Sequence, residues 1–144
     1  MGGALPIARI GSSRGYPEPV IDHRLDTDWV DAPQHPAQWL VAALDTSREV
    51  GGVSLAIEER AADFPRHVKI ELSADGGHWT EVWDGLPSAL VFLAVERQPR
   101  TGWLRIAFPS QNARYVRVRQ VSDATVDWRV PEMEVNAPAA ASLP

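Results

Sequence analysis

At 144 residues, with 44% hydrophobic and 23% charged positions, the chain has the size and composition of one globular domain rather than of a disordered or membrane-spanning protein. A net charge of −5 argues against nucleic acid, whose phosphates need a basic footprint, and the absence of cysteine excludes disulfides and thiol nucleophiles. No apolar run approaches the roughly eighteen residues of a membrane helix, so direct membrane insertion is not expected.

The amino terminus, Met1-Gly2-Gly3-Ala4-Leu5-Pro6, has neither the charged nor the long apolar region of a secretory signal. The domain is therefore expected to be cytosolic or cut from a longer exported protein. The first dense signal is Val20-Ile21-Asp22-His23-Arg24-Leu25-Asp26-Thr27-Asp28-Trp29, a run of oxygen donors ending in a tryptophan. Pro131-Glu132-Met133-Glu134-Val135, near the other end, can bring a carboxylate back to it on a terminal strand. Together they suggest a structural calcium site joining the two ends of a β-sandwich. The same residues also suit an Asx-rich turn without metal.

Beyond Trp29 the repeating signal has period two. Strands are predicted from Trp39 to Leu44 and from Gly52 to Glu58, whereas Ala61-Ala62-Asp63 is stopped by Pro65 before a helix can form. His67-Val68-Lys69-Ile70-Glu71-Leu72-Ser73 alternates strictly. Thr80 to Trp83 and Val91 to Val95 follow as strands. Trp103 to Phe108 and Tyr115 to Arg119 then place Leu104, Ile106, Phe108, Val116 and Val118 inward. Glu132 to Val135 completes about eight antiparallel strands, separated by turns at Ala74-Asp75-Gly76-Gly77, Asp84-Gly85-Leu86-Pro87 and Pro109-Ser110-Gln111-Asn112. Arginines at 97, 100, 105, 114, 117 and 119 read as a solvated outer face paired with acids, Lys69 being the only lysine. The pattern predicts an all-β sandwich or jelly roll spanning 1–136. The stretch 137–144, rich in alanine and proline, reads as a linker or frayed end.

Six segments in order carry a family resemblance over nearly the whole chain. They are Ile21-Asp22 to Thr27-Asp28-Trp29, Gln38-Trp39-Leu40, Val53-Ser54-Leu55, the run from Val68 to Val82 with its Ser73-Ala74-Asp75-Gly76-Gly77-His78-Trp79 turn, Ala113-Arg114-Tyr115-Val116-Arg117-Val118, and Glu132-Met133-Glu134-Val135. This order resembles the discoidin domain, the coagulation factor V/VIII C-type domain, whose galactose-binding-like jelly roll is shared with family 32 carbohydrate-binding modules.

The resemblance implies calcium ligation by the side chains of Asp22, Thr27 and Glu132, with backbone carbonyls of Pro19, Arg24, Thr27 and Pro131. Arg24 would serve through its carbonyl, although its charge could weaken the site. His23 stands where the family commonly has glycine. It also implies recognition by loops at one end of the sandwich, where an aromatic face meets the sugar and charged groups grip its hydroxyls. The candidates there are Glu59, Arg60, Asp63 and Phe64 from one loop, His35 from a second and Trp128 with Arg129 from a third. Trp128 is the leading platform, with a fold-back over the core as its other reading. Trp29 and Trp39 are expected in the core and Trp79 over the core edge. Many sugar-binding members carry a histidine and an aromatic after Trp29, where this chain has Val30-Asp31-Ala32-Pro33, a departure from the galactose pattern.

Catalysis is not expected. His23, His35, His67 and His78 lack metal-ligand spacing, no G-x-S-x-G elbow is present, and the acids are accounted for by calcium, turns and strand faces. The expected function is a lectin-like module that holds a larger exported or cell-envelope protein near glycans. The alternative is an accessory domain that contacts neighbouring domains or a protein partner without binding sugar. Phospholipid binding, as in the clotting-factor members, is disfavoured by the lack of cysteine. An extracellular or periplasmic location is implied by the family alone.

Overall fold

The computed structural model describes residues 2–24, 26–58, 65–87 and 101–139, which form nine β-strands and one short 3-10 turn. The strands are β1 (Ala4–Leu5), β2 (Ile7–Ser12), β3 (Trp29–Pro33), β4 (Trp39–Glu58), β5 (Val68–Ser73), β6 (Thr80–Gly85), β7 (Thr101–Gln120), β8 (Asp127–Val130) and β9 (Met133–Asn136); the turn is Glu18–Ile21. Every pairing is antiparallel. One sheet runs β1-β9-β4-β7-β5-β6, with β2 also on β4, and β3 pairs with β8 in a second. The architecture is the all-β antiparallel sandwich that the alternation predicts.

Two strands are longer than expected. Trp39 to Leu44 and Gly52 to Glu58 are halves of β4, and Trp103 to Phe108 and Tyr115 to Arg119 are halves of β7. The segment Pro109-Ser110-Gln111-Asn112, expected as a turn, lies within β7. Bulges explain how the chain passes through such punctuation. Gln111 pairs with Val50 and Ala107 with Gly52, so Phe108, Pro109 and Ser110 oppose Gly51 alone. Pro109 thus sits where the ladder is already broken and its missing N–H costs nothing. On the other strand, Leu44 to Ser47 oppose Arg114 alone, and Asp45 stabilises that bulge through the Thr46 N–H (2.9 Å) and Arg48 (2.9 Å).

The bends let both halves of each long strand contribute to one core. Leu40, Ala42 and Leu44 join Val53, Leu55 and Ile57 from β4, while Leu104, Ile106, Phe108, Val116 and Val118 point inward from β7 as predicted. Full burial of each large side chain contributes about 1.5–3 kcal/mol. Trp29 and Trp128 pack edge-to-face at 5.0 Å between ring centroids and close one end of this core. At the chain termini, Ala137 exchanges backbone hydrogen bonds with Gly2 (2.7 Å) and Gly3 (2.9 Å), so pairing continues one residue past the expected boundary at 136. The predicted strand Val91 to Val95 lies outside the described residues.

Candidate functional site

The oxygen-rich run folds as an entry turn against the last strand. Val20, fully buried, anchors the 3-10 turn, which ends at Asp22. His23 follows at φ 62°, the left-handed region that glycine adopts without strain. This conformation turns the His23 N–H onto Glu132 Oε1 at 3.2 Å, across 109 residues of sequence. The Arg24 N–H donates to Asp22 Oδ1 at 2.9 Å and the Thr27 hydroxyl to Asp22 Oδ2. Three residues selected from sequence, Asp22, Thr27 and Glu132, therefore converge. The Pro19 carbonyl accepts from the Asp22 N–H at 3.5 Å, and Pro131 is buried beside Glu132.

The electrostatics of the cluster are uneven. Burial pushes the Glu132 carboxyl up to about 7, and the neighbouring Asp22 charge adds to the rise. The Thr27 hydroxyl bond holds Asp22 below its ordinary value. The Arg24 guanidinium is held by Asp26 through two hydrogen bonds of 2.9 and 2.7 Å, and its charge also helps to lower Asp22. Among the described residues no group of three or more His, Cys, Asp and Glu side chains converges. The donor set is instead two carboxylates, a hydroxyl and nearby carbonyls, the hard-oxygen mixture that suits calcium rather than a transition metal.

The loop end of the sandwich is organised by a residue the sequence reading passed over. Gln34 is 1% exposed, and its side-chain oxygen accepts from the Arg66 N–H at 3.0 Å while its amide donates to the Asp127 carbonyl at 3.4 Å. Its backbone N–H donates to Val126 and its carbonyl accepts from Ala124, at 3.0 and 2.9 Å. One buried glutamine thus joins its own segment to Arg66 and to the approach to β8 from Ala124 to Asp127. The only sequence signal for it is a polar residue between the proline turn and His35.

His35, next to this hub, is half-buried, and its Nδ1 accepts from the Ala37 N–H at 3.3 Å. In the neutral ring the proton therefore sits on Nε2. Glu59, Arg60, Asp63 and Phe64 lie outside the described residues. Trp128 requires a correction. It is on strand β8 rather than in a loop, and it is fully buried against Trp29, so its ring offers no face to a sugar. Its neighbour Arg129 is paired with Asp28.

Two other tryptophans also depart from expectation. Trp39 lies on the outer face of β4, half-buried, because the period of two places it opposite to Leu40 and Ala42. Trp79 lies on that same outer face, 4.2 Å from the Arg117 guanidinium. With Tyr115 they border a groove of about 530 Å³.

The family model of the F5/8 type C domain matches residues 9–133. A comparison with curated proteins found no match. Among solved structures, the chain is similar to the family 32 carbohydrate-binding module of AlyQ in complex with 4,5-unsaturated mannuronic acid, with 21% identity over 92% of this chain and 97% of that one and a TM-score of 0.71. It is similar to a truncated AlyQ with carbohydrate-binding and alginate lyase domains, at 20% identity and a TM-score of 0.72, over 98% of this chain and 35% of that one. A Clostridium perfringens module, CpGH89CBM32-5, in complex with GalNAc-β-1,3-galactose is similar at 16% identity, over 94% of this chain and 100% of that one, with a TM-score of 0.71.

Proposed function

The chain belongs to the F5/8 type C domain family, and on that premise we propose that it is a non-catalytic carbohydrate-binding module with a structural calcium site, working as part of a larger exported or cell-envelope protein. The observation that carries the reading is the Gln34 hub, which holds the His35 loop, the chain leaving the 59–64 segment and the approach to β8 in one fixed arrangement. A shallow sugar site needs such convergent, preorganised loops. His35 would donate from Nε2 to a sugar hydroxyl, while Arg60 and Asp63 grip others and Phe64 supplies an apolar face. The sugars named for the similar modules support glycan as the ligand class.

Calcium would be held by Asp22, Thr27 and Glu132 with the Pro19, Arg24, Thr27 and Pro131 carbonyls. When bound it supplies positive charge between two carboxylates that otherwise oppose one another. Its role would be structural, since the residues that would hold it belong to the entry turn and to the approach to the last strand.

A glycan array probed with the calcium-loaded protein tests the function, with His35→Ala and Arg60→Ala alongside. Binding to a defined glycan group that weakens by about tenfold in either variant is the expected result, the size of one lost polar contact. Silence across the array from folded protein would remove the glycan reading and leave an accessory docking domain.

A further inference from the structure

The outer face of the large sheet carries a second arrangement with the chemistry of a ligand site. Strand register sets its layout. Arg9, Ala43, Tyr115 and Ser73 form one row across β2, β4, β7 and β5; Gly11, Val41, Arg117 and Glu71 form the next; Trp39, Arg119 and Lys69 form a third. Small side chains at Gly11, Val41 and Ala43 leave the floor low, while Trp39, Tyr115 and Trp79 stand up around it. The groove crosses three strand spacings to the Asp75-Gly76 turn, about 14 Å, which is longer than a single sugar ring.

Its charges are arranged for an anion. Arg117 and Arg119 both donate to Glu71 Oε1 at 3.0 Å, so two cations against one carboxylate leave one positive charge in excess. Trp79 fixes the plane of the Arg117 guanidinium from 4.2 Å. Arg9 is exposed at the rim and has no ion pair among the described residues. Asp75, the acid in the lining, is engaged by the Gly77 and His78 N–H groups at 2.8 and 2.9 Å and by the His78 ring at 2.7 Å. A locally positive groove on a chain of net charge −5 is matched to carboxylates, and the flat rings of Trp39 and Tyr115 are matched to the C–H faces of sugars.

We propose that this groove binds an extended saccharide chain bearing carboxylates, a uronic-acid polymer, with its sugar faces on Trp39 and Tyr115 and its carboxylates on Arg9 and Arg117. The site is separate from the loop end and does not depend on it.

Calorimetric titration with short oligogalacturonates, and with the same oligomers methyl-esterified, tests the assignment. A side chain at Gly11 would meet the Trp39 ring only at ordinary contact, 3.8 Å, so Gly11→Gln fills the groove without forcing the fold. Wild-type protein should bind the free acid, the ester should bind about tenfold more weakly, and Arg9→Ala should lose a similar factor. Gly11→Gln should abolish binding with its melting temperature retained. No binding of the free acid by folded wild type, or equal binding of acid and ester, would overturn the proposal. So would loss of uronate binding in Arg60→Ala with Gly11→Gln unaffected, which would place the ligand at the loop end. Self-association that Gly11→Gln abolishes would make the groove a contact between copies and overturn it as well.

Discussion

His23 shows how one residue can carry a conformation that its type does not favour. A left-handed φ costs an L-residue about 1–2 kcal/mol, of which glycine would give back about 0.5–1 through its own loss of backbone entropy on folding. His23→Gly should therefore stabilise the domain by about 0.5–1 kcal/mol, read as a higher urea midpoint at unchanged slope, because the bond to Glu132 is made by the backbone and survives. A lower midpoint would mean that the imidazole itself does structural work. Trp128 is the opposite case, a suitable type in an unsuitable place. Its ring is buried and its indole N–H has no hydrogen-bond partner among the described residues. Trp128→Ala should cost about 3–5 kcal/mol of stability, whereas Trp128→Phe should cost clearly less, since it also removes a buried unsatisfied donor. Equal losses in the two urea titrations would show that the donor is satisfied.

At the scale of elements, cross-strand pairs hold the outer face as the core holds the inner. Glu71 on β5 accepts from Arg117 and Arg119 on β7. Burial alone would raise its carboxyl, but the two hydrogen bonds and their charges outweigh that and hold it below the usual range. A depressed folded-state value stabilises the fold above the unfolded value, near 4.5, and is lost as pH falls through the folded value. Glu71→Gln should cost about 1–2 kcal/mol at neutral pH and flatten the acid limb of the stability curve below pH of about 4.5. An unchanged limb would assign acid sensitivity elsewhere. The strands themselves were legible because alternation reports one buried face. Their continuity was not, since Pro109-Ser110-Gln111-Asn112 has the same composition in a turn and in a bulge, and only the partner strand tells them apart. Trp128 was legible in principle: alternation through Asp127-Trp128-Arg129-Val130 sets it on the same side as Val130. The groove was not, because Arg9, Val41 and Arg117 become neighbours only through register.

Over the whole molecule, the two chain ends are brought to one place. β1 lies on β9, Gly2 and Gly3 hold Ala137, and the entry turn reaches Glu132. The oxygen-rich runs at both ends were visible in the sequence, but the choice of Asp22, Thr27 and Glu132 among them came from the family resemblance, since the same donors also suit an Asx-rich turn without metal. An ion held there would pin a closure of about 110 residues and stabilise the folded state by mass action. Calcium at a hundredfold over its dissociation constant should add about 2.7 kcal/mol, a melting shift of roughly 8–10 °C for a domain of this size. Magnesium, which demands a tighter octahedron, should shift it less. Glu132→Gln separates this from a general salt effect. Its side-chain oxygen can still accept the His23 N–H, and the buried charge facing Asp22 is gone, so without calcium the variant should be at least as stable as wild type while the calcium shift disappears. Identical melting of wild-type protein in calcium and in chelator would leave the turn held by its hydrogen bonds alone.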